Sequence, residues 1–284
     1  MIIPFQQDDA LLDDIRHASA DAGTFHLWWL GQSGFLLKWQ HHHLLFDPYL
    51  SDSLTEKYAG TAKEHIRMTG RCIDPARLTM VDAVTSSHNH TDHLDAATLG
   101  PLAAARPGLP LVLPEANLDF ARQRLGDAPL TLTPVDDSGT VEVAGFSITG
   151  LAAAHNTIER DAQGRCHFLS FFVRFGPWSV FHSGDTLWHD HLPHRLIHYQ
   201  PTIVLLPING HVPARGVAGN LNGTEAAALA RCCGAALASP HHFDMFTFNT
   251  ASPEEFTTAC HRLQQPHRVL RCGEKISWPQ PPHP

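Results

Sequence analysis

The chain has 284 residues, of which 43% are hydrophobic and 17% charged, with a formal net charge of −8. That length can bury a large core as one α/β domain spanning residues 1–284, and the acidic balance gives a nucleic-acid partner little electrostatic help, so none is expected. No apolar stretch is long enough to cross a bilayer, and the acidic N-terminus MIIPFQQDDALLDDIRH does not read as a secretory signal. A soluble, cytoplasmic protein with no membrane partner is expected.

Asp8 to Ala20 predicts a short amphipathic helix with Leu11, Leu12 and Ile15 on one face. Three strand-like runs follow closely, Thr24–Leu30, Gly34–Trp39 and Leu44–Phe46, and their spacing suggests an antiparallel meander. Tyr49–Thr79 is a long charged connection, the kind of loop that often covers a site. An apolar strand then delivers the chain to VTSSHNHTDHLD. Beyond it the pattern predicts a helix over Ala96–Ala105, a strand at Leu111–Leu113, a helix over Glu115–Leu125, and two or three strands within Thr131–Gly150. Phe168–Phe175 and Trp178–Phe181 form a hairpin, and Trp188–Tyr199 is helical in part. Thr202–Leu206 is a buried strand, and Asn209–Leu221 a Gly-rich loop. A helix at Thr224–Cys233, a strand at Ala235–Ser239, a turn at Pro240–Phe243, a helix at Pro253–Leu263 and strands at His267–Leu270 and Lys275–Trp278 complete the chain. Each half runs strands first and strand–helix units second, which suggests two sheets face to face with helices outside, an αββα sandwich. The six cysteines form no C-x-x-C pair and read as free, mostly buried thiols, with Cys232 and Cys233 inside a buried helix.

The chemistry concentrates in His88, His90, Asp92 and His93, four donors within six residues between a strand and a helix. Donors at i and i+2 can grip one ion, and those at i+4 and i+5 a second; imidazole with carboxylate suits zinc, manganese or iron. A His-rich solvated loop is the alternative in a chain with 22 histidines. Three more donors follow strands: His155 after ITGLAAA, Asp185 after SVFHSG and His242 after ALASPH. Singly each is weak. Together the seven supply enough donors for two ions, with one carboxylate bridging and positions left for water.

This set, in this order, resembles the metallo-β-lactamase superfamily, whose fold is the same αββα sandwich of two mixed sheets. By that resemblance His88, His90 and His155 hold a first metal and Asp92, His93 and His242 a second. Asp185 bridges, and Asp47 in LLFDPYL orients the motif histidines from behind. Asp92 and Asp185 are the catalytic candidates. The pieces GTFHLWWLGQSGFLLK, FHSGDTLWHD and KISWP look like the L-ascorbate-6-phosphate lactonase branch; SHNHTDHLD also looks like the N-acyl-phosphatidylethanolamine phospholipase D branch. The segment DPYLSDSLTEKYAG departs from the lactonases, and leaves the substrate open. The expected activity is that of a dinuclear metal-dependent hydrolase, with zinc or manganese (iron accepts the same donors), acting on a small ester that can carry an anionic group, a lactone first. A phosphodiesterase on cyclic nucleotides or other small diesters is the alternative. A redox di-iron protein is disfavoured by His90, where such relatives show Glu, and a non-enzymatic metal-binding regulator by a donor set with no position missing. Lactonase-like relatives form oligomers, so a homo-oligomer is among the expected partners.

Outside the donor set the residues leave alternatives open. Arg215 can clamp a substrate anion or lie on the surface. His211 and Asn209 can line the same pocket or cap a turn. His182 can support the ligands or be a half-buried strand histidine. Tyr49, Trp188, Phe243 and Phe246 can be pocket walls, with core packing the stronger reading for the Phe pair.

Overall fold

The computed structural model describes residues 1–279. In chain order the elements are α1 (Asp8–His17), β1 (Phe25–Gly31), β2 (Gly34–Trp39), β3 (His42–Phe46), α2 (Ser53–Tyr58), β4 (Ala83–Thr85), α3 (Ala96–Ala105), β5 (Leu109–Pro114), α4 (Leu118–Leu125), β6 (Leu130–Val135), β7 (Thr140–Val143) and β8 (Phe146–Ala152). They continue with β9 (Leu169–Phe175), β10 (Trp178–His182), α5 (His191–Tyr199), β11 (Ile203–Pro207), α6 (Gly223–Cys232), β12 (Leu237–His241), α7 (Glu254–Leu263) and β13 (Lys275–Trp278). One sheet has the order β13-β1-β2-β3-β4-β5-β6, the other β12-β11-β10-β9-β8-β7. In both, an antiparallel meander passes into parallel strands: β1-β2-β3 into β4-β5-β6, and β7-β8-β9-β10 into β11-β12. This is the αββα sandwich expected from the order of the elements.

Side chains alternate along a strand, so a strand buried on both faces feeds two cores. Phe25, Leu27 and Trp29 of β1, Phe35 and Leu37 of β2, and Leu44 and Phe46 of β3 face the second sheet and meet Phe146, Ile148, Phe171 and Val173. The intervening Trp28, Leu30, Leu36 and Leu45 face outward, into a core closed by Leu11, Leu12 and Ile15 of α1 and Leu99 and Leu102 of α3. Lys38 lies on that outward face and is 5% exposed. Its ammonium donates to the carbonyls of Ile15 (2.7 Å) and Ala18 (2.8 Å). It thus satisfies acceptors that the end of α1 leaves open, where the helix dipole favours a cation.

Several expectations change. The connection after Tyr49 carries a helical turn, α2, which a single buried apolar residue, Leu54, did not reveal. Pro240 and His241 belong to β12 rather than to a turn: β12 is an edge strand, where proline's missing N–H removes no ladder bond on the open side. His267–Leu270 is no strand; His267 makes one bridge to Ala238. Cys232 is exposed, while the other five cysteines are buried. No helix among the described residues is long and apolar enough to cross a membrane.

Candidate metal centre

The donors stand at strand ends along one edge of the sandwich. β4 leads into the loop of His88, His90, Asp92 and His93, and Asp95 at its close caps α3 by accepting from Ala97 N–H (3.3 Å). From the other sheet, β8 delivers His155, β10 Asp185 and β12 His242. Two groups result. Donor atoms of His88, His90 and His155 lie within 4.8 Å of one another, and so do those of Asp92, His93, Asp185 and His242. Asp185 sits between the groups, with Oδ2 3.4 Å from His155 Nε2 and Oδ1 3.4 Å from His93 Nε2. His242 Nε2 is 3.5 Å from Asp185 Oδ2 and 3.6 Å from Asp92 Oδ2.

Hydrogen bonds behind the rings decide which nitrogen faces inward. Asp47, fully buried at the end of β3, accepts from His93 Nδ1–H at 2.7 Å, from Thr85 Oγ1 at 2.9 Å and from the Ser87 hydroxyl. With the Ser87 hydrogen committed to Asp47, its oxygen receives His88 Nδ1–H at 3.0 Å. His155 Nδ1–H donates to Gly219 O at 2.8 Å. Nδ1 of all three histidines is thereby committed as a donor, which turns Nε2 inward, the orientation metal binding requires. His88 Nε2, His93 Nε2 and Asp185 Oδ1 are buried and have no hydrogen-bond partner. Orphaned acceptors at such depth are costly, and divalent cations fit this donor chemistry.

The electrostatics differ between the groups. Burial, reinforced by neighbouring imidazoles, holds His88 well below the ordinary imidazole value and lowers His90 to about 4. In the second group burial opposes charge but is overcome: Asp185 and Asp92 hold His93 well above its ordinary value, and His242 is raised by Asp185. Asp185 itself is held well below the carboxylate range, because His242 and His93 outweigh its burial.

Backbone strain collects here. Asp47, Gln32 and His242 have φ of 37°, 48° and 64°, left-handed values uncommon for such residues and concentrated at functional sites. Gly184 has φ +55° and abuts the motif loop, since a Cβ there would lie 2.5 Å from Ser87 Cβ.

A cavity of about 480 Å³ opens over the donors, with His90, Asp92, His155, Asp185 and His242 in its floor. Of the other sequence candidates, Phe246 lines it, while Arg215, Asn209, His211, Tyr49, His182 and Phe243 are not in its lining. Arg215 binds backbone and amide oxygens, Asn209 O (2.8 Å), Asn249 Oδ1 (3.3 Å) and Thr250 O (3.3 Å), and ties two loops together. Asn209, 2% exposed, bonds Asn249 and Asn220. His211 is exposed and leans on Gly219. Tyr49 is buried behind Leu54 and Phe246, which do line the cavity, and accepts from Leu54 N–H at 2.9 Å. His182 is fully buried, not half-buried. Its Nε2–H donates to Ser33 O (2.7 Å) and its Nδ1 accepts from Gly184 N–H (3.2 Å), so it braces the turn beside Asp185 without touching a donor ring. Phe243 stacks on Trp29 at 4.4 Å, in the core.

Sequence reasoning missed Gln32, whose amide donates to Asp92 Oδ2 at 2.8 Å and lies 3.1 Å from His242 Nε2. A glutamine in a Gly31–Gly34 turn was the available signal. It also missed Lys57, Tyr58, Lys63, His65, Arg124 and Phe248, which line the cavity.

The profile of the β-lactamase superfamily domain matches residues 42–243. The chain belongs to this superfamily. A UPF0173 metal-dependent hydrolase of Opitutus terrae is 30% identical over 88% of this chain and 98% of its own length. A probable L-ascorbate-6-phosphate lactonase UlaG of Escherichia coli O127:H6 is 22% identical, over 95% of this chain and 85% of its own. Among solved structures, a possible metal-dependent hydrolase from Veillonella parvula superposes with a TM-score of 0.71 at 16% identity, covering 88% of this chain and 98% of that one, a likeness of fold. With the superfamily comes the class of activity: the protein is a metal-dependent hydrolase.

Proposed function

We propose that this superfamily member works with two divalent ions, zinc or manganese (iron suits the same donors), and opens a small lactone. The division of seven donors into two groups, with Asp185 between them, carries the two-ion reading. In it, His88, His90 and His155 hold one ion, Asp92, His93 and His242 the other, and Asp185 reaches both. The likeness to the UlaG lactonase supports the lactone as first substrate. When bound, such ions lower the pKa of a water and stabilise the oxyanion of an attacked carbonyl.

The chain's own residues supply the rest. Asp47, Ser87 and Gly219 keep imidazole lone pairs aimed inward before any ligand arrives, so little reorganisation is left to the reaction. Gln32 pins Asp92 Oδ2. Asp92 Oδ1 is left to take a proton from the attacking water and return it to the leaving oxygen, the work of a general base and then acid. Asp92 is suited to this because its side chain, 14% exposed, opens toward the cavity.

The test is metal content per chain, paired with hydrolysis of a panel of lactones and small phosphodiesters after zinc or manganese is restored separately. About two equivalents with lactone turnover is the expected result. Two equivalents with diester cleavage alone would transfer the reading to a phosphodiesterase. No stoichiometric metal after reconstitution would overturn both.

A further inference from the structure

We propose that the outer wall of this cavity is an anion-binding subsite, in which Lys57, Lys63 and Arg124 hold a phosphate or carboxylate carried by the substrate away from the bond that is cut. The inference rests on the hydrolase reading above and names a substrate class for it.

Three cations line the cavity, whereas among the described residues its only carboxylates are Asp92 and Asp185, both within the donor groups. The chain as a whole is acidic, so this concentration of positive charge is local. Only four lysines exist, at 38, 57, 63 and 275. Lys38 is buried under the end of α1, and Lys275 pairs with Asp14. The other two stand at the cavity. Lys57 meets no carboxylate among the described residues; its ammonium lies 5.1 Å from the Tyr58 ring. Lys63 donates to Gly216 O on the facing loop, which leaves further ammonium hydrogens for a ligand. Arg124 commits Nη1 to Asn89 O (2.6 Å) and Leu94 O (3.3 Å) and stacks on Phe120 at 4.4 Å. Its Nε and Nη2 have no partner among the described residues. The nearby Glu64 is turned back on its own loop, accepting from Gly60 N–H at 2.9 Å, and is not part of the lining.

The segment bearing the lysines is braced. His65 stacks on Tyr58 at 4.6 Å and meets Phe246 at 5.1 Å, while its Nδ1–H donates to Lys63 O at 2.7 Å. Thr61 Oγ1 donates to Tyr58 O at 2.8 Å and accepts from Lys63 N–H at 3.2 Å. A turn held in this way presents its charges at little entropic cost on binding. Convergent cations above a metal-dependent reaction centre favour an anionic ligand and speed its capture.

The test compares a lactone with its phosphomonoester, gluconolactone and 6-phosphogluconolactone, on the metal-loaded enzyme and on the Lys57→Ala/Lys63→Ala and Lys57→Arg/Lys63→Arg double variants. The wild type is expected to prefer the phosphorylated lactone. The alanine variant should lose about tenfold of that preference, chiefly through KM and with metal content unchanged, and the arginine variant should keep it. Binding of inorganic phosphate, followed by calorimetry, should weaken in the alanine variant by a similar factor. Equal preference and equal phosphate affinity in wild type and alanine variant would overturn the subsite. If neither lactone is hydrolysed, the lactone reading fails by itself, and the phosphate titration still decides the subsite.

Discussion

The floor and the rim of the cavity are built on opposite principles. The floor stands on strand ends from both sheets. Its donors are mostly buried, and a carboxylate, a hydroxyl or a carbonyl behind the rings of His88, His93 and His155 fixes each of them. The rim is the turn of α2, the loop after it and Arg124 from the end of α4, with Lys57 exposed and Lys63 half-buried, and it is held by aromatic stacking and a few local bonds. The difference teaches that the floor can be altered only by breaking the centre, whereas the rim can change what is bound while the reaction survives.

The largest effects are expected in the floor. His90→Ala or Asp185→Asn should reduce hydrolysis to background and release bound metal, read by elemental analysis together with turnover; full activity in either variant would sink the assignment of donors. Gly184→Ala should cost about 2–4 kcal/mol, because a methyl must be forced against Ser87 at a positive φ. Gly234→Ala, with φ +69° and nothing within 4 Å, is the control and should cost only about 1 kcal/mol of backbone strain; urea midpoints compare the two. Asp47→Asn should lower metal affinity by about 10–100-fold, since His93 loses the carboxylate that fixes its tautomer; a competing chelator measures it.

On the rim, His65→Phe keeps the stack but loses the bond to Lys63 O. It should raise KM about two- to threefold for an anionic substrate and leave metal content alone. A loss of metal in this variant would erase the distinction between floor and rim.

The mildest effect is one of pH. Burial lowers His182 and holds His241 well below the ordinary imidazole value, so the folded protein keeps both neutral. The unfolded chain takes up their protons below about pH 6.5, and therefore binds more protons than the native state there. Stability should rise with pH through that window and be lost progressively as the pH falls. The two rings stack at 5.1 Å, and because the donor histidines also titrate in metal-free protein, urea midpoints between pH 7.5 and about 5 are compared for wild type and His241→Gln; an unchanged pH slope in the variant would mean that His241 is not the buried neutral ring described.

Legibility in the sequence follows the same line between floor and rim. The seven candidate donors were readable because four crowd into one loop after β4 and the other three each follow a strand at an apolar run. The helix over Ala96–Ala105 was readable in both its bounds because Asp95 caps it and Arg106-Pro107-Gly108 ends it. Lys57, Lys63 and His65 were not readable as a group. Their meeting depends on an aromatic stack between Tyr58 and His65 that is closed by Phe246, from far along the chain, and no periodicity records that. Gln32 was hidden for another reason: its neighbours Gly31, Ser33 and Gly34 explain a tight turn so well that the side chain between them draws no notice. Arg215 misled in the reverse sense, because a guanidinium in a Gly-rich loop near a metal motif suggests an anion, yet carbonyl and amide oxygens of its own chain take it up.

Each donor group mixes the two sheets. His88 and His90 come from one and His155 from the other; Asp92 and His93 come from one and Asp185 and His242 from the other. Neither sheet, folded alone, would own a complete set of donors. If these donors hold an ion as proposed, occupancy of the site becomes a certificate of assembly: a chain that retains an ion would already have brought its two halves into register, and chelation would remove a cross-link between residues roughly a hundred positions apart, a staple of the fold as well as an instrument of its chemistry.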